Sequence, residues 1–340
     1  MIKTNCLVKD RFNITQDEKM PFLKDALDRI KVGNIFKNRF DWFGDNYQLV
    51  KIEVIRYKPQ KRCLIEYHFE GEQSLVLIGK VRAKGLDTKS YELQKELWQS
   101  GFNDNSDDGI SVPEPVGIIP EWQMWLQKKV PGELVINYLT TNKGVAVSKK
   151  VAQVAHKLHQ VNILPQRSHT MADELAILED KLPLVLIDYP QWESRIKTIL
   201  AKCHILGESI PEDPACGIHR DFYFDQIIVD RDRFYLLDLD LYCQGNPNLD
   251  IGNFIAHITE YRLRTFGNVN ALREQETALE EEFLNLTKQP DNNAIQAYKI
   301  LTLVRHIYLS NIFPERRFIT EVLLNLCEEG LKHIMVIQHL

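Results

Sequence analysis

Residues Cys216–Phe254 read CGIHRDFYFDQIIVDRDRFYLLDLDLYCQGNPNLDIGNF. His219-Arg220-Asp221 stands just before an apolar run, Gln226–Val229. The charged turn Asp230-Arg231-Asp232-Arg233 separates that run from a second, Phe234–Leu237, which leads into Asp238. Two such runs around a polar turn predict a hairpin. The hairpin brings Asp221, Gln226 and Asp238 to one end of a small sheet. Phosphoryl transfer needs this set of groups. One carboxylate orients an acceptor hydroxyl and takes its proton, while a second carboxylate and an oxygen-donor side chain hold Mg²⁺. A lone His-Arg-Asp is most simply a solvated loop. The spaced amide, the hairpin and the second aspartate together favour the functional reading.

The kinase catalytic loop is written H-R-D-x-x-x-x-N, with an aspartate on the next hairpin arm. His219, Arg220, Asp221 and Asp238 fit it, and Gln226 stands where asparagine is usual. Asp238 is followed seven residues later by Gly245-Asn246-Pro247, then by Asp250-Ile251-Gly252. In this the chain resembles the aminoglycoside phosphotransferase and choline kinase family, small-molecule kinases with a protein-kinase-like fold. The family pattern is approximately H-G-D-x-x-x-x-N, then I-D-(x)6-G-D-P-x-x-D-L/I-A. The departures are Arg220 for glycine, Gln226 for asparagine and Asn246 for aspartate. Gln226 keeps the carbonyl oxygen on a longer arm, and some maltokinases of the family carry glutamine there.

The resemblance implies a two-lobed α+β fold, with a small antiparallel sheet in the N-terminal lobe and a mostly helical C-terminal lobe. It implies ATP-dependent phosphorylation of a small-molecule hydroxyl (sugar, amino alcohol or aminoglycoside-like). Asp221 would be the catalytic base, set in the loop with His219 and Arg220. Gln226 and Asp238 would hold Mg²⁺, and Asp250 would brace the loop. The family's phosphate-binding strand lysine and its helix glutamate fall on Lys80 and Glu92, with Glu96 one turn further on as the alternative. The chain has no G-x-G-x-x-G loop; Tyr57–Arg62 takes its place, so that Lys61, Arg62 and backbone amides would cover the phosphates. Trp122–Lys129 would be the connector beside adenine.

Outward from the motif, the pattern agrees with two lobes. Tyr47–Tyr57, Cys63–Phe69 and Ser74–Val81 are rich in β-branched and aromatic residues and predict three antiparallel strands, with a helix over Lys89–Ser100. Val112–Pro120 and Trp122–Lys128 read as two more strands. Residues 16–45 look helical in their first half, opened by Asp17, Glu18 and Lys19, with Phe22, Leu23, Ala26, Leu27 and Ile30 at helical spacing. Beyond the turn Val130–Glu133 the apolar period becomes helical over Lys149–Gln160, Ala172–Leu182 and Trp192–Ile205, and again from Asp250 to the end with a polar break at 288–293. The expected division is residues 1–129, a nucleotide-binding lobe, and 130–340, a catalytic and acceptor-binding lobe. Arg305, His306, Arg316 and Arg317 fall on late helices and line an acceptor site or a solvated face. His156 and His159, at i and i+3, read as helix packing.

The 340 residues suffice for two lobes, and the net charge of −5 argues against a dedicated nucleic-acid binder. Six scattered cysteines without a CxxC pair offer neither a zinc site nor a disulfide framework. The start MIKTNCLVKDRF has no apolar core of a secretory signal, and no stretch reaches the roughly 20 apolar residues of a membrane span. The expectation is a reduced, cytoplasmic protein acting on a small molecule, without a nucleic-acid or membrane partner. Two other readings stay open: a nucleotide-binding regulatory module with little turnover, which Gln226 allows, and a protein kinase, against which the missing A-P-E segment argues.

Overall fold

The computed structural model describes residues 6–43, 47–211, 216–288 and 290–337. Residues 1–5, on which the absence of a signal partly rests, lie outside them, as does residue 289 in the polar break. The contacts divide the chain into two compact units, Met1–Pro131 and Gly132–Leu340.

The first unit runs β1 (Leu7–Lys9), α1 (Leu23–Ala26), α2 (Arg29–Arg39), β2 (Gln48–Lys58), β3 (Arg62–Glu70), β4 (Leu75–Arg82), α3 (Thr88–Gln99), β5 (Ile110–Ser111), β6 (Pro115–Ile119) and β7 (Met124–Lys128). Its sheet has the order β1-β2-β3-β4-β7-β6; β1 joins parallel to β2, and the other pairs are antiparallel. The period-2 pattern gives each strand a core face. Cys63, Ile65, Tyr67 and Phe69 of β3 and Leu77 and Val81 of β4 are buried there against Leu23, Val32 and Phe36. Phe36 is the hub of this face, with the rings of Phe40, Phe43, Tyr67 and Phe69 all within 6 Å of its centroid. The opposite face carries Lys80, paired in register with Leu64 on β3 and Trp125 on β7.

The helical period expected to start at Asp17 is split. Leu27 ends a single turn, and Asp28 caps a new helix by accepting from Ile30 N and Lys31 N, both at 2.9 Å. A side chain that serves the backbone this well at an N-terminus stops the preceding helix and starts the next. Asp17 is therefore not a helix-opening residue; its carboxylate is turned inward.

The second unit runs β8 (Glu133–Leu134), α4 (Ile136–Leu139), α5 (Gly144–Gln160), α6 (Met171–Lys181), α7 (Glu193–Ser209), β9 (Cys216–Ile218), β10 (Ile227–Asp230), β11 (Arg233–Leu236), β12 (Cys243–Gly245), α8 (Asn248–Phe266), α9 (Arg273–Leu286), α10 (Asn292–Ile312) and α11 (Thr320–Ile337). The expected hairpin is β10–β11, with Ile227 opposite Leu236. Its outer neighbour is β8, and β9 pairs with β12 to close the second small sheet. Helices α6, α7, α10 and α11 share one apolar core. Helix α8 lies so close to α10 that a Cβ on Gly252 would stand 2.7 Å from Lys299 N, so only glycine fits there. The six cysteines are free thiols. Burial pushes Cys63 in the first unit and Cys203 in the second up to about 12. Among the described residues no helix is long and apolar enough to cross a membrane.

Candidate active site

The loop from β9 to β10 is fixed by one carboxylate. Asp250, in the first turn of α8 and wholly buried, accepts from His219 N at 2.9 Å and Arg220 N at 2.7 Å. Its Oδ2 also lies 2.8 Å from His159 Nε2 on α5. Asp250 thus braces the loop as the motif implies, and His159 is its buried partner. His219 is enclosed as well and donates from Nε2 to Leu237 O at 2.8 Å, which ties the loop to the residue before Asp238. Arg220 has φ 69°, a left-handed conformation that glycine adopts freely and other residues at a cost of about 1–2 kcal/mol. The family's H-G-D has glycine at this position, and here the backbone bond to Asp250 holds an arginine in the same shape.

Asp221 follows. Gln226 Nε2 reaches its Oδ2 at 3.4 Å, and Gln226 itself is fixed by main-chain bonds to Tyr223 and Leu237. Burial raises the Asp221 pKa; His219 and Arg305 pull it back down, and the charge of Asp238 pushes it further up. Asp238 is therefore an electrostatic neighbour of Asp221, and the turn does bring Asp221, Gln226 and Asp238 together. Asp238 takes a left-handed backbone, φ 52°. Asn246, the departure from aspartate, accepts from Asn248 N at 3.0 Å at the start of α8, a duty an amide oxygen performs as well as a carboxylate.

Sequence reading missed a second line of support. Asn253, fully buried, donates from Nδ2 to Phe222 O at 2.9 Å and accepts from Arg305 Nη2 at 2.8 Å. Arg305 also reaches Glu174 Oε2 at 3.3 Å, and the other oxygen of Glu174 lies 2.6 Å from His169 Nε2. From the sequence, Arg305 falls on a late helix and lines an acceptor site or a solvated face. The helical spacing from Asp250 to Asn253 is the signal that could have found Asn253. His306 is buried, with its ring 4.6 Å from that of His257, which in turn stacks on Tyr223 at 4.5 Å. Burial first, then the charges of Arg305, Arg316 and Arg264, lowers the His306 pKa to about 3. Arg264 pairs with Glu260 at 2.8 Å, Arg316 lies 4.0 Å from the same carboxylate, and Arg317 donates to Asn311 O.

In the first unit Lys80 Nζ lies 4.5 Å from the centre of the Trp125 ring. The helix after it is not turned as expected. Gln94 is buried and donates to Pro113 O at 2.6 Å and Gln127 Oε1 at 3.3 Å, while the Tyr91 ring lies 6.2 Å from that of Trp125. These contacts set the rotation of α3 and send both Glu92 and Glu96 to solvent. Glu92 faces Lys95, 3.7 Å away. Glu92, which the resemblance pairs with Lys80, stands on the exposed side of α3. Lys61 is exposed and Arg62 half-buried, at and just after the β2–β3 turn.

The described residues also contain one cluster with metal-ligand chemistry, Glu53, Glu66 and His68 on the Lys80 face of the sheet. Lys129 occupies Glu66 Oε1 at 2.6 Å and Lys51 pairs with Glu53, so the carboxylates already have cations.

No curated protein matches the sequence. Solved structures match along most of the chain. A spectinomycin phosphotransferase in complex with ADP and spectinomycin is 12% identical with a TM-score of 0.58, covering 92% of this chain and 99% of that one. A choline kinase from Cryptosporidium parvum is 12% identical with a TM-score of 0.57, covering 92% and 97%. An aminoglycoside phosphotransferase in ternary complex with AMP-PNP and hygromycin B is 15% identical with a TM-score of 0.55, covering 88% and 97%. At these identities the likeness establishes the protein-kinase-like fold. The model of the phosphotransferase enzyme family matches residues 100–281, more than half of the chain, and takes in Asp221, Gln226, Asp238 and Asp250. A loop built on these four residues, in this fold and under this match, means that the chain belongs to the phosphotransferase enzyme family and is a small-molecule kinase.

Proposed function

We propose that the chain transfers the γ-phosphoryl group of ATP to a hydroxyl of a small, uncharged or anionic acceptor, with Asp221 as the base. The observation that carries the reaction is the neighbouring carboxylates of Asp221 and Asp238 with the Gln226 amide against Asp221, on a braced loop. Asp221 takes the acceptor hydroxyl's proton as the acceptor oxygen bonds to phosphorus and the bond to ADP breaks. Burial raises the Asp221 pKa, which makes it a better base than a solvated carboxylate. Two repelling carboxylates with a carbonyl-bearing amide are hard oxygen donors that fit Mg²⁺, and Asp238 and Gln226 are the residues assigned to it. Bound there, Mg²⁺ would neutralise phosphate charge. Lys80, and Lys61 and Arg62 on the turn, are assigned to the phosphates. Glu92, facing solvent, is assigned no more than a minor role. An intact set of three groups favours turnover over a regulatory module.

The charges near the loop favour the acceptor class. Glu174 is hydrogen-bonded to His169 and paired with Arg305, and Glu260 is paired with Arg264 and Arg316. A polycationic acceptor would meet arginines where it needs free carboxylates, while a sugar or a sugar acid would not. The test is ATP consumption by the purified protein with Mg²⁺ against neutral sugars, sugar acids, amino alcohols and aminoglycosides. Transfer is expected for the first two groups, lost in Asp238→Ala and largely kept in Gln226→Asn. A higher kcat/KM for an aminoglycoside would overturn the acceptor class and leave the reaction standing. Full activity in Asp238→Ala would remove the metal assignment.

A further inference from the structure

We propose that Asp17 is a positioning residue for the nucleotide phosphates, acting by holding the β2–β3 turn in its binding shape before ATP arrives. The inference rests on the assignment of that turn to the phosphates and adds a residue to it from outside the motif.

The turn Lys58-Pro59-Gln60-Lys61 is closed by Lys61 N donating to Lys58 O at 3.0 Å. Proline at its second position and a positive φ of 56° at Gln60 are the marks of a type II turn, in which glycine is the usual third residue. Glutamine has to be held there. Asp17 holds it: Oδ2 accepts from Gln60 N at 2.8 Å and from the Tyr57 hydroxyl at 2.7 Å. The other oxygen accepts from Lys19 N at 2.9 Å and Met20 N at 3.2 Å. Four donors therefore converge on one carboxylate that is only 6% exposed. Burial pushes the Asp17 pKa up, but these bonds outweigh it and hold the group below the usual range. Ile14 and Met20, on either side of Asp17, are completely buried in the core of the first unit, so the carboxylate is mounted on a fixed base. From the turn, Lys61 O accepts from Ala83 N at 2.9 Å, three residues beyond Lys80.

Residues 58–61 are all exposed, so fixing them adds little to the core. A phosphate-binding turn gains from the same restraint. Ordering a free backbone residue costs conformational entropy, and a turn ordered in advance spares ATP that cost. A glycine-rich loop would bear this cost on binding, whereas here it is met on folding. The sign of the effect is diagnostic. Removing a negative charge near phosphates would by itself tighten binding, whereas loss of the restraint weakens it.

The experiment is calorimetric titration of the full chain with MgAMP-PNP and with adenosine, on wild type, Asp17→Asn, Tyr57→Phe, Lys61→Ala and Arg62→Ala, with melting temperatures. Asp17→Asn is expected to weaken MgAMP-PNP about tenfold and leave adenosine, which has no phosphates, within twofold. Tyr57→Phe, which spares the Gln60 bond, is expected to weaken MgAMP-PNP two- to fourfold and stands in if Asp17→Asn does not fold. Unchanged or tighter MgAMP-PNP binding in Asp17→Asn, or equal weakening of both ligands, overturns the inference. Unchanged binding in both Lys61→Ala and Arg62→Ala overturns the turn assignment itself, and the inference with it. Failure of the transfer reaction would show separately, in Asp221 variants that keep turnover.

Discussion

Asp250 in the second unit and Asp17 in the first are both buried carboxylates holding the backbone N–H of a non-glycine residue at positive φ, Arg220 in one case and Gln60 in the other. Their settings differ. Asp250 lies 2.8 Å from Nε2 of buried His159, and His219, one of the two residues whose amides it serves, is completely buried. Without it, a histidine and two N–H groups would be left enclosed and unpaired. Asp17 serves an exposed turn, where water can replace the lost acceptor at Gln60. The same local device is thus part of the fold in one place and an adjustment of a single turn in the other. What decides is whether the groups released can find water.

The largest effect expected separates chemistry from frame in the catalytic loop. Asp221→Asn should lower turnover by about 10²–10⁴-fold, the usual worth of a general base, with nucleotide affinity and melting temperature nearly unchanged. Near wild-type turnover would remove Asp221 from this role. Asp250→Asn should damage turnover and also cost about 2–4 kcal/mol of stability, because buried partners are left unsatisfied. That corresponds to a melting temperature lower by about 3–6 °C in a protein of this size. Asp17→Asn should lower it by less than about 3 °C. Equal losses in the two variants would break the comparison.

Acid should pull the two regions apart. His306 binds a proton near pH 6.5 when unfolded but only near pH 3 when folded, so protons favour unfolding between those values. Its contribution is complete above about pH 6.5 and is lost as pH falls, by up to about 1.4 kcal/mol per unit. Asp17 has the same sign of linkage in a lower window: its folded pKa lies below 3.8, so its contribution is complete above that value and is lost only as pH falls below it. Melting temperatures between pH 7.5 and 5 should therefore decline in wild type and decline less in His306→Gln. A parallel decline in both would exclude His306 as the source. The smallest effects belong to the strained residues themselves. Arg220→Gly and Gln60→Gly should each change stability by less than about 1 kcal/mol, since glycine takes positive φ without strain. Gln60→Gly should still weaken MgAMP-PNP two- to threefold by loosening the turn.

The second unit was the more legible because its site is contiguous. Asp221, Gln226, Asp238 and Asp250 fall within thirty residues, and their spacing carries the hairpin and the helix start. Asp17 and Gln60 are 43 positions apart, with no period to link them. Asp17 instead had the look of a helix opening, because acidic residues before an apolar period usually are one. The choice between Glu92 and Glu96 was not legible for a related reason. The strand–helix order located α3 correctly, but its rotation depends on Gln94 bonding to Pro113 and Gln127, a contact between elements that a charge pattern does not encode. Arg305 could be seen as basic and late in the chain, but not as the support of Asn253.

The buried thiols make the two units separately readable in time. Cys63 lies in the core of the first unit, and Cys203 and Cys327 lie in that of the second. Burial keeps all three thiols protonated, well above their usual titration range, and therefore unreactive while their surroundings stay closed. A thiol reagent in excess consequently reports how often each core opens. Peptide mapping of the labelled protein would assign each opening rate to its unit. Nucleotide that orders the first unit should slow labelling at Cys63 before it slows labelling at Cys203.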